Sequence, residues 1–87
     1  PLGADMMKRM AARKIERIVE STQRKVAQKL VELRESQGLT QLQLSELAGI
    51  DRKTINRIEN GHFSPSVDTL TRLALALQVS IGDLIGS

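Results

Sequence analysis

An all-α fold is what this chain encodes: one small domain of five helices, preceded by an additional N-terminal helix. Three observations lead there. Apolar residues recur at three- and four-residue steps along most of the chain, and no stretch alternates with a period of two. The chain is 40% hydrophobic but only 1% aromatic, so its core must be Leu, Ile, Val and Ala, which suits helices better than sheets. Ser, Thr, Asp and Gly stand where the periodic pattern breaks, as helix caps and stops do.

Residues 1–4 read as the remnant of a cleaved tag, with Met6 or Met7 as the native start, and are set apart from the fold. Residues 5–21 form a helical extension. Met7, Met10/Ala11, Ile15 and Ile18/Val19 make a narrow apolar stripe, while Lys8, Arg9, Arg13, Lys14 and Arg17 occupy much of the remainder. Such a helix is marginal alone and needs a partner surface. Four are open to it. It can run on into the next helix as one rod, because Thr22, Val26, Leu30 and Leu33 prolong its stripe; or it can pair with its own copy. It can lay its basic side on a phosphate backbone, or lie on an anionic membrane. A solvated helix resting on its own domain is the plainer alternative.

Ser21 and Thr22 are able to cap a fresh helix, so the domain is expected to span residues 22–87. Its first helix buries Val26, Leu30 and Leu33 and runs to Gln37, where Gly38 stops it and Leu39 supplies an apolar contact. Thr40 caps a second helix over 41–48, with Leu44, Leu47 and Ala48 as its apolar stripe. Gly49 closes that helix in a left-handed conformation. Ile50 anchors the turn, and Asp51 is expected to cap a third helix that Asn60-Gly61 ends. Ile55 and Ile58 share one face of this third helix. Arg52, Lys53, Asn56 and Arg57 fall within roughly 140° on the other. Those side chains suit base edges: Arg or Lys to guanine O6/N7, Asn to adenine N6/N7. A basic face of this kind is also what an ordinary solvated helix carries.

Phe63, the single aromatic residue, reads as a core plug in the loop that follows. Ser66 caps a fourth helix burying Val67, Leu70, Leu73, Ala74 and Leu77. Ser80 and Asp83 have capping-box spacing and start a short fifth helix through Ile85. Val79, Ile81, Leu84 and Ile85 are many large aliphatics for so short a segment, so any surplus would form a dimer patch.

The charge is modest, 13 Lys+Arg against 10 Asp+Glu for a net +3, but unevenly placed. Residues 1–21 and 22–61 each carry +2, and residues 62–87 carry −1. Positive charge therefore sits in the part that would face nucleic acid. With no cysteine and one histidine, neither a disulfide scaffold nor a zinc site can be assembled. No paired carboxylates, nucleophile–histidine pair or phosphate loop is present, so an enzyme is not expected. No cofactor, small-molecule ligand or membrane partner is expected, and the location is expected to be cytoplasmic.

The run GLTQLQLSELAGIDRKTINRIENG, followed by FSPSVDTLTRLALALQVSIGDLI, resembles the lambda-repressor-like (Cro/C1-type) helix-turn-helix family. The likeness reaches back through Leu30–Gln37 and covers roughly Thr22–Ile85. It implies a five-helix domain binding double-stranded DNA as a transcription regulator, a repressor or controller, with 51–60 as the recognition helix. Arg52, Lys53, Asn56 and Arg57 are then the base readers. Gln41 is the phosphate-contacting glutamine at a helix N-terminus, joined by Thr54, His62 and Ser64. Gly49 makes the turn. Arg34 and Glu59 match positions that pair across the domain in this family. Leu42 departs from a usually polar position and points away from Leu44. A homodimer is expected, because one recognition helix spans too few base pairs for useful specificity. An antitoxin-type autoregulator, or an adaptor that uses the same fold to bind protein, is the alternative.

Overall fold

The structure, a computed structural model, describes residues 3–86; Pro1 and Leu2 of the expected tag remnant lie outside them. Among the described residues it contains five α-helices: α1 (Ala4–Ser36), α2 (Gln41–Ala48), α3 (Arg52–Glu59), α4 (Val67–Leu77) and α5 (Ile81–Ile85). The expected extension and first domain helix are one continuous helix of 33 residues. The cap at Ser21 and Thr22 does not form. Thr22 lies within the helix and its Oγ1 donates to the Ile18 carbonyl at 2.8 Å. The reason for the continuity is legible: no Gly or Pro interrupts residues 4–36. Met7, Ala11, Ile15, Ile18, Thr22, Val26, Leu30 and Leu33 follow steps of four and three averaging close to 3.7, a nearly straight line along an α-helix. Ala4 belongs to this helix too.

The remaining boundaries follow their capping chemistry. At the end of α1 the Gly38 N–H donates to the Glu35 carbonyl at 3.0 Å and the Leu39 N–H to the Arg34 carbonyl at 3.1 Å, with Gly38 at φ +69°. That is the paired arrangement of a glycine-ended helix. Thr40 and Gln43 cap α2 reciprocally: the Gln43 N–H donates to Thr40 Oγ1 at 3.0 Å and the Thr40 N–H to Gln43 Oε1 at 2.9 Å. Ser66 Oγ accepts from the Thr69 N–H at 3.1 Å. Ser80 and Asp83 form the expected box on α5. Asp51 precedes α3 but makes no side-chain cap. Its carbonyl alone serves the first turn, accepting from the Thr54 and Ile55 N–H groups at 3.0 and 3.3 Å, while its carboxylate stays exposed.

Val26, Leu30, Leu44, Ala48, Ile55, Ile58, Leu73, Ala74, Leu77 and Leu84 make the core. Leu33, Leu39, Ile50, Phe63, Leu70, Val79 and Ile81 pack against it, so Phe63 is a flanking plug. Two expected core residues are outside. Leu47 is 62% exposed: α2 packs against both α3 and α4, which centres its buried arc on Leu44, Ser45 and Ala48 and turns Leu47 out. Ser45 fills the close approach instead, its hydroxyl donating to the Leu42 carbonyl at 2.6 Å. Val67 is 76% exposed, because the stripe of α4 meets the core only from Leu70 onward. The aliphatic surplus expected near the C-terminus reduces to Ile85, which is exposed beside buried Leu84.

Every described residue from 3 to 20 is exposed, and the molecule measures 55 × 23 × 19 Å. The first half of α1 is therefore a helical arm projecting beyond the core.

Candidate nucleic-acid interface

Two isoleucines fix α3 to the core. Ile55 and Ile58 are 0% and 1% exposed, burial that contributes about 1.5–3 kcal/mol for each side chain. With that face anchored, the 100° step between residues turns Arg52, Lys53, Asn56 and Arg57 outward, and all four are exposed. Thr54 is half-buried beside them. The helix is eight residues long, about 12 Å, and the width of a DNA major groove is comparable.

The turn ahead of it is set by Gly49 at φ +67°, where the Ile50 N–H reaches the Ser45 carbonyl at 3.0 Å. A Cβ at Gly49 would also stand 3.1 Å from Arg72 Nη1. The turn thus sets the direction in which the chain leaves α2, and α3 packs back against α2.

At its other end α3 is clamped by a charge pair. Arg34 Nε donates to Glu59 Oε2 at 2.7 Å and Nη2 to Oε1 at 2.9 Å, a two-pronged contact that fits the guanidinium fork. Arg34 Nη1 donates further to the Leu39 carbonyl at 2.8 Å. The two side chains are only 14% and 6% exposed. Glu59 raises the pKa of Arg34, chiefly through their hydrogen bond and against the opposing effect of burial. One side chain therefore joins α1, the loop before α2 and the end of α3.

Gln41 extends this network towards the outer face. Its Nε2 donates to Glu59 Oε1 at 3.0 Å and lies 3.4 Å from Asn56 Oδ1. The first residue of α2 is thereby tied both to the internal clamp and to one of the outward side chains of α3. Leu42, next to it, is 52% exposed. His62 and Ser64 are exposed in the loop after α3, and Ser64 Oγ accepts from Gln23 Nε2 of α1. Arg24 lies outside the set that the sequence singled out, yet it belongs to this surface. Its Cγ would stand 3.6 Å from a Cβ on Gly61, with Ala27 Cβ at 3.8 Å. Stepping back from Arg34 by three and four residues through Val31 and Ala27 leads to Arg24, and that periodicity was the available signal.

The surface formed by the α2 N-terminus, α3 and the 62–64 loop carries exposed Arg52, Lys53, Arg57 and Arg24. Among the described residues no group of three or more His, Cys, Asp and Glu is placed to hold a metal ion. Among the described residues, likewise, no helix is long and apolar enough to cross a membrane.

Three known proteins show what this chain is similar to. The immunity repressor protein of Bacillus phage phi105 is 34% identical over 61 residues, covering 70% of this chain and 42% of the repressor. Antitoxin PezA of Streptococcus pneumoniae is 31% identical over 61 residues, covering 70% of this chain and 39% of the antitoxin. The chain thus spans less than half the length of either relative. The crystal structure of the restriction-modification controller protein C.AhdI from Aeromonas hydrophila superposes with a TM-score of 0.71 at 34% identity. It matches over 74% of this chain and 97% of the controller, leaving about a quarter of this chain without a counterpart. A family model described as helix-turn-helix matches residues 30–84, a span that includes α2, α3 and the 62–64 loop of the candidate interface, with Arg24 outside it. Sequence, fold and packing agree, and the chain belongs to the helix-turn-helix family.

Proposed function

We propose that the protein is a sequence-specific, double-stranded DNA-binding transcription regulator, a repressor, which inserts α3 into the major groove and acts as a homodimer. The observation that carries this reading is the division of α3 into two faces. Ile55, Ile58 and Glu59 are held inside, and Arg52, Lys53, Asn56 and Arg57 are exposed on the outside. Arg52, Lys53 and Arg57 are suited to guanine and Asn56 to adenine, each good two-point contact contributing about 1–3 kcal/mol of discrimination. Gln41, Thr54, His62 and Ser64 would position the sugar–phosphate backbone, with the α2 N-terminus offering free N–H groups. Arg24 adds a further cation at the same edge.

Selection of bound duplexes from a random pool at near-physiological salt tests the reading. Enrichment of an inverted repeat containing G·C pairs is expected, with half-sites about 34 Å apart or a multiple of it. Absence of enrichment even at low salt would reject DNA reading and bring a protein-binding adaptor forward.

A further inference from the structure

Among the described residues nothing covers the apolar face of the α1 arm. Met7, Ile15, Ile18 and Val19 are 59%, 61%, 56% and 45% exposed, and with Ala11 and Thr22 they share one side of the helix. A bare helix of this length is marginal in water, and a contiguous exposed apolar strip on a small protein marks an interaction site. The strip does not end at the domain. It opens into a notch of about 260 Å³, walled by Ile18, Val19 and Val26 and floored by Pro65, Leu70 and Ile85. The exposed Ile85, unexplained by the core, belongs to this notch.

We propose that this face is the dimer interface, with residues 7–22 of α1 docking antiparallel on the same segment of a second copy and the far end of each arm entering the other's notch. Charge favours this occupant and this direction. Residues 5–14 carry four basic groups and one acidic, whereas residues 15–20 carry Glu16 and Glu20 against Arg17. Antiparallel docking sets the basic end of each arm beside the acidic base of the other, and parallel docking would set like beside like. The geometry suits the same choice. With Met7 opposite Thr22 of the partner, the two-fold axis passes between Lys14 and Ile15. The two copies of Ala27, which lie against Gly61 at the end of α3, then stand roughly 38 Å apart at 1.5 Å per residue. That is close to one turn of B-DNA, about 34–36 Å. The α3-bearing side of α1, marked by Ala27 and Arg34, lies about a quarter to a third of a turn from the apolar strip. A two-fold of this kind therefore turns both recognition helices to the same side of the pair.

The inference rests on the dimeric reading above and is tested without DNA. Sedimentation of the full chain is expected to give a dimer at micromolar concentration, and Ile15→Glu with Ile18→Glu to raise its dissociation constant at least tenfold. Both positions are exposed in the single chain, so its fold does not depend on them. The chain has no cysteine, so single replacements report the direction. Ile15→Cys, beside the axis, is expected to cross-link as a disulfide dimer. Met7→Cys is not, its copies standing roughly 22 Å apart, whereas a disulfide requires Cα atoms within about 7 Å. A dimer unaffected by the two glutamates would overturn the arm interface and leave the dimeric reading intact. A monomer at every concentration would overturn both. Equal cross-linking at Met7 and Ile15 would overturn the antiparallel direction. A monomer whose helical circular dichroism rises on phosphatidylserine vesicles, or on a short non-specific duplex, would hand the face to a membrane or to phosphate.

Discussion

Arg34 shows how much one side chain can be asked to do. Its guanidinium engages both carboxylate oxygens of Glu59 and the Leu39 carbonyl, and the pair is mostly covered. Removing either partner leaves a charge with little access to water, so Arg34→Ala or Glu59→Ala is expected to cost about 3 kcal/mol. Urea unfolding measures it, and a loss below 1 kcal/mol would class the pair with ordinary surface bridges. Glu59→Ala also releases Gln41, which loses its 3.0 Å acceptor. Arg57 belongs to the other kind of residue. It is exposed and without a partner among the hydrogen bonds of the described residues, so Arg57→Ala is expected to leave stability within about 0.5 kcal/mol. On DNA it should relax one base preference, whereas Gln41→Ala should weaken all sequences. Binding measured across a panel of single-base operator variants separates the two, and equal losses for Arg57→Ala across the panel would count against a base-reading role. The outward position of Arg52, Lys53, Asn56 and Arg57 was legible from a helical wheel, because Ile55 and Ile58 leave only one face for burial. The link from Gln41 to Asn56 was not, since it depends on how α2 and α3 cross and not on spacing within either.

Among the helices, what could be read was the chemistry of the ends. Gly38, Gly49 and Gly61 take positive φ where each helix stops, and Thr40, Ser66 and Ser80 accept from their own first turns. Asp51 was misleading because a capping residue type does not oblige its side chain to turn back. Ser21 and Thr22 misled for a related reason: a hydroxyl inside a helix can satisfy itself on the carbonyl four residues earlier, as Thr22 does. Leu47 and Val67 were misplaced because a stripe gives the direction of burial but not the width of the partner. The cap on α5 gives a test with a defined sign. Asp83 has its pKa lowered by the Ser80 backbone N–H, then by the Ser80 hydroxyl, with a smaller effect of Lys29. A carboxyl depressed in the folded state stabilises it above the unfolded value, here 3.8, and loses that contribution as the pH falls through the folded value. Thermal melts should therefore show wild type above Asp83→Asn near neutral pH, with the gap closing as the pH drops below 3.8. A gap independent of pH would mean that the carboxylate charge plays no part in the cap.

At the scale of the whole molecule the core and the arm divide the work. Among the described residues each buried hydrophobic one lies between Val26 and Leu84, so the core owes nothing to residues 4–20, and the arm's length is free to serve assembly. Deleting residues 4–20 is accordingly expected to leave a folded domain with an unchanged affinity for a single half-site. Affinity for the full inverted repeat should fall by roughly the effective-concentration advantage of linking two sites, about 10²–10⁴-fold. The pattern of loss tells which partner the arm has. Loss confined to the repeat means that the arm joins two readers. Equal loss on half-site and repeat, with a shallower dependence on salt, would mean that Lys8, Arg9, Arg13, Lys14 and Arg17 lie on phosphates instead. Competition binding of both duplexes at two salt concentrations is enough to distinguish these, because counterion release depends on charges neutralised and the linkage effect does not.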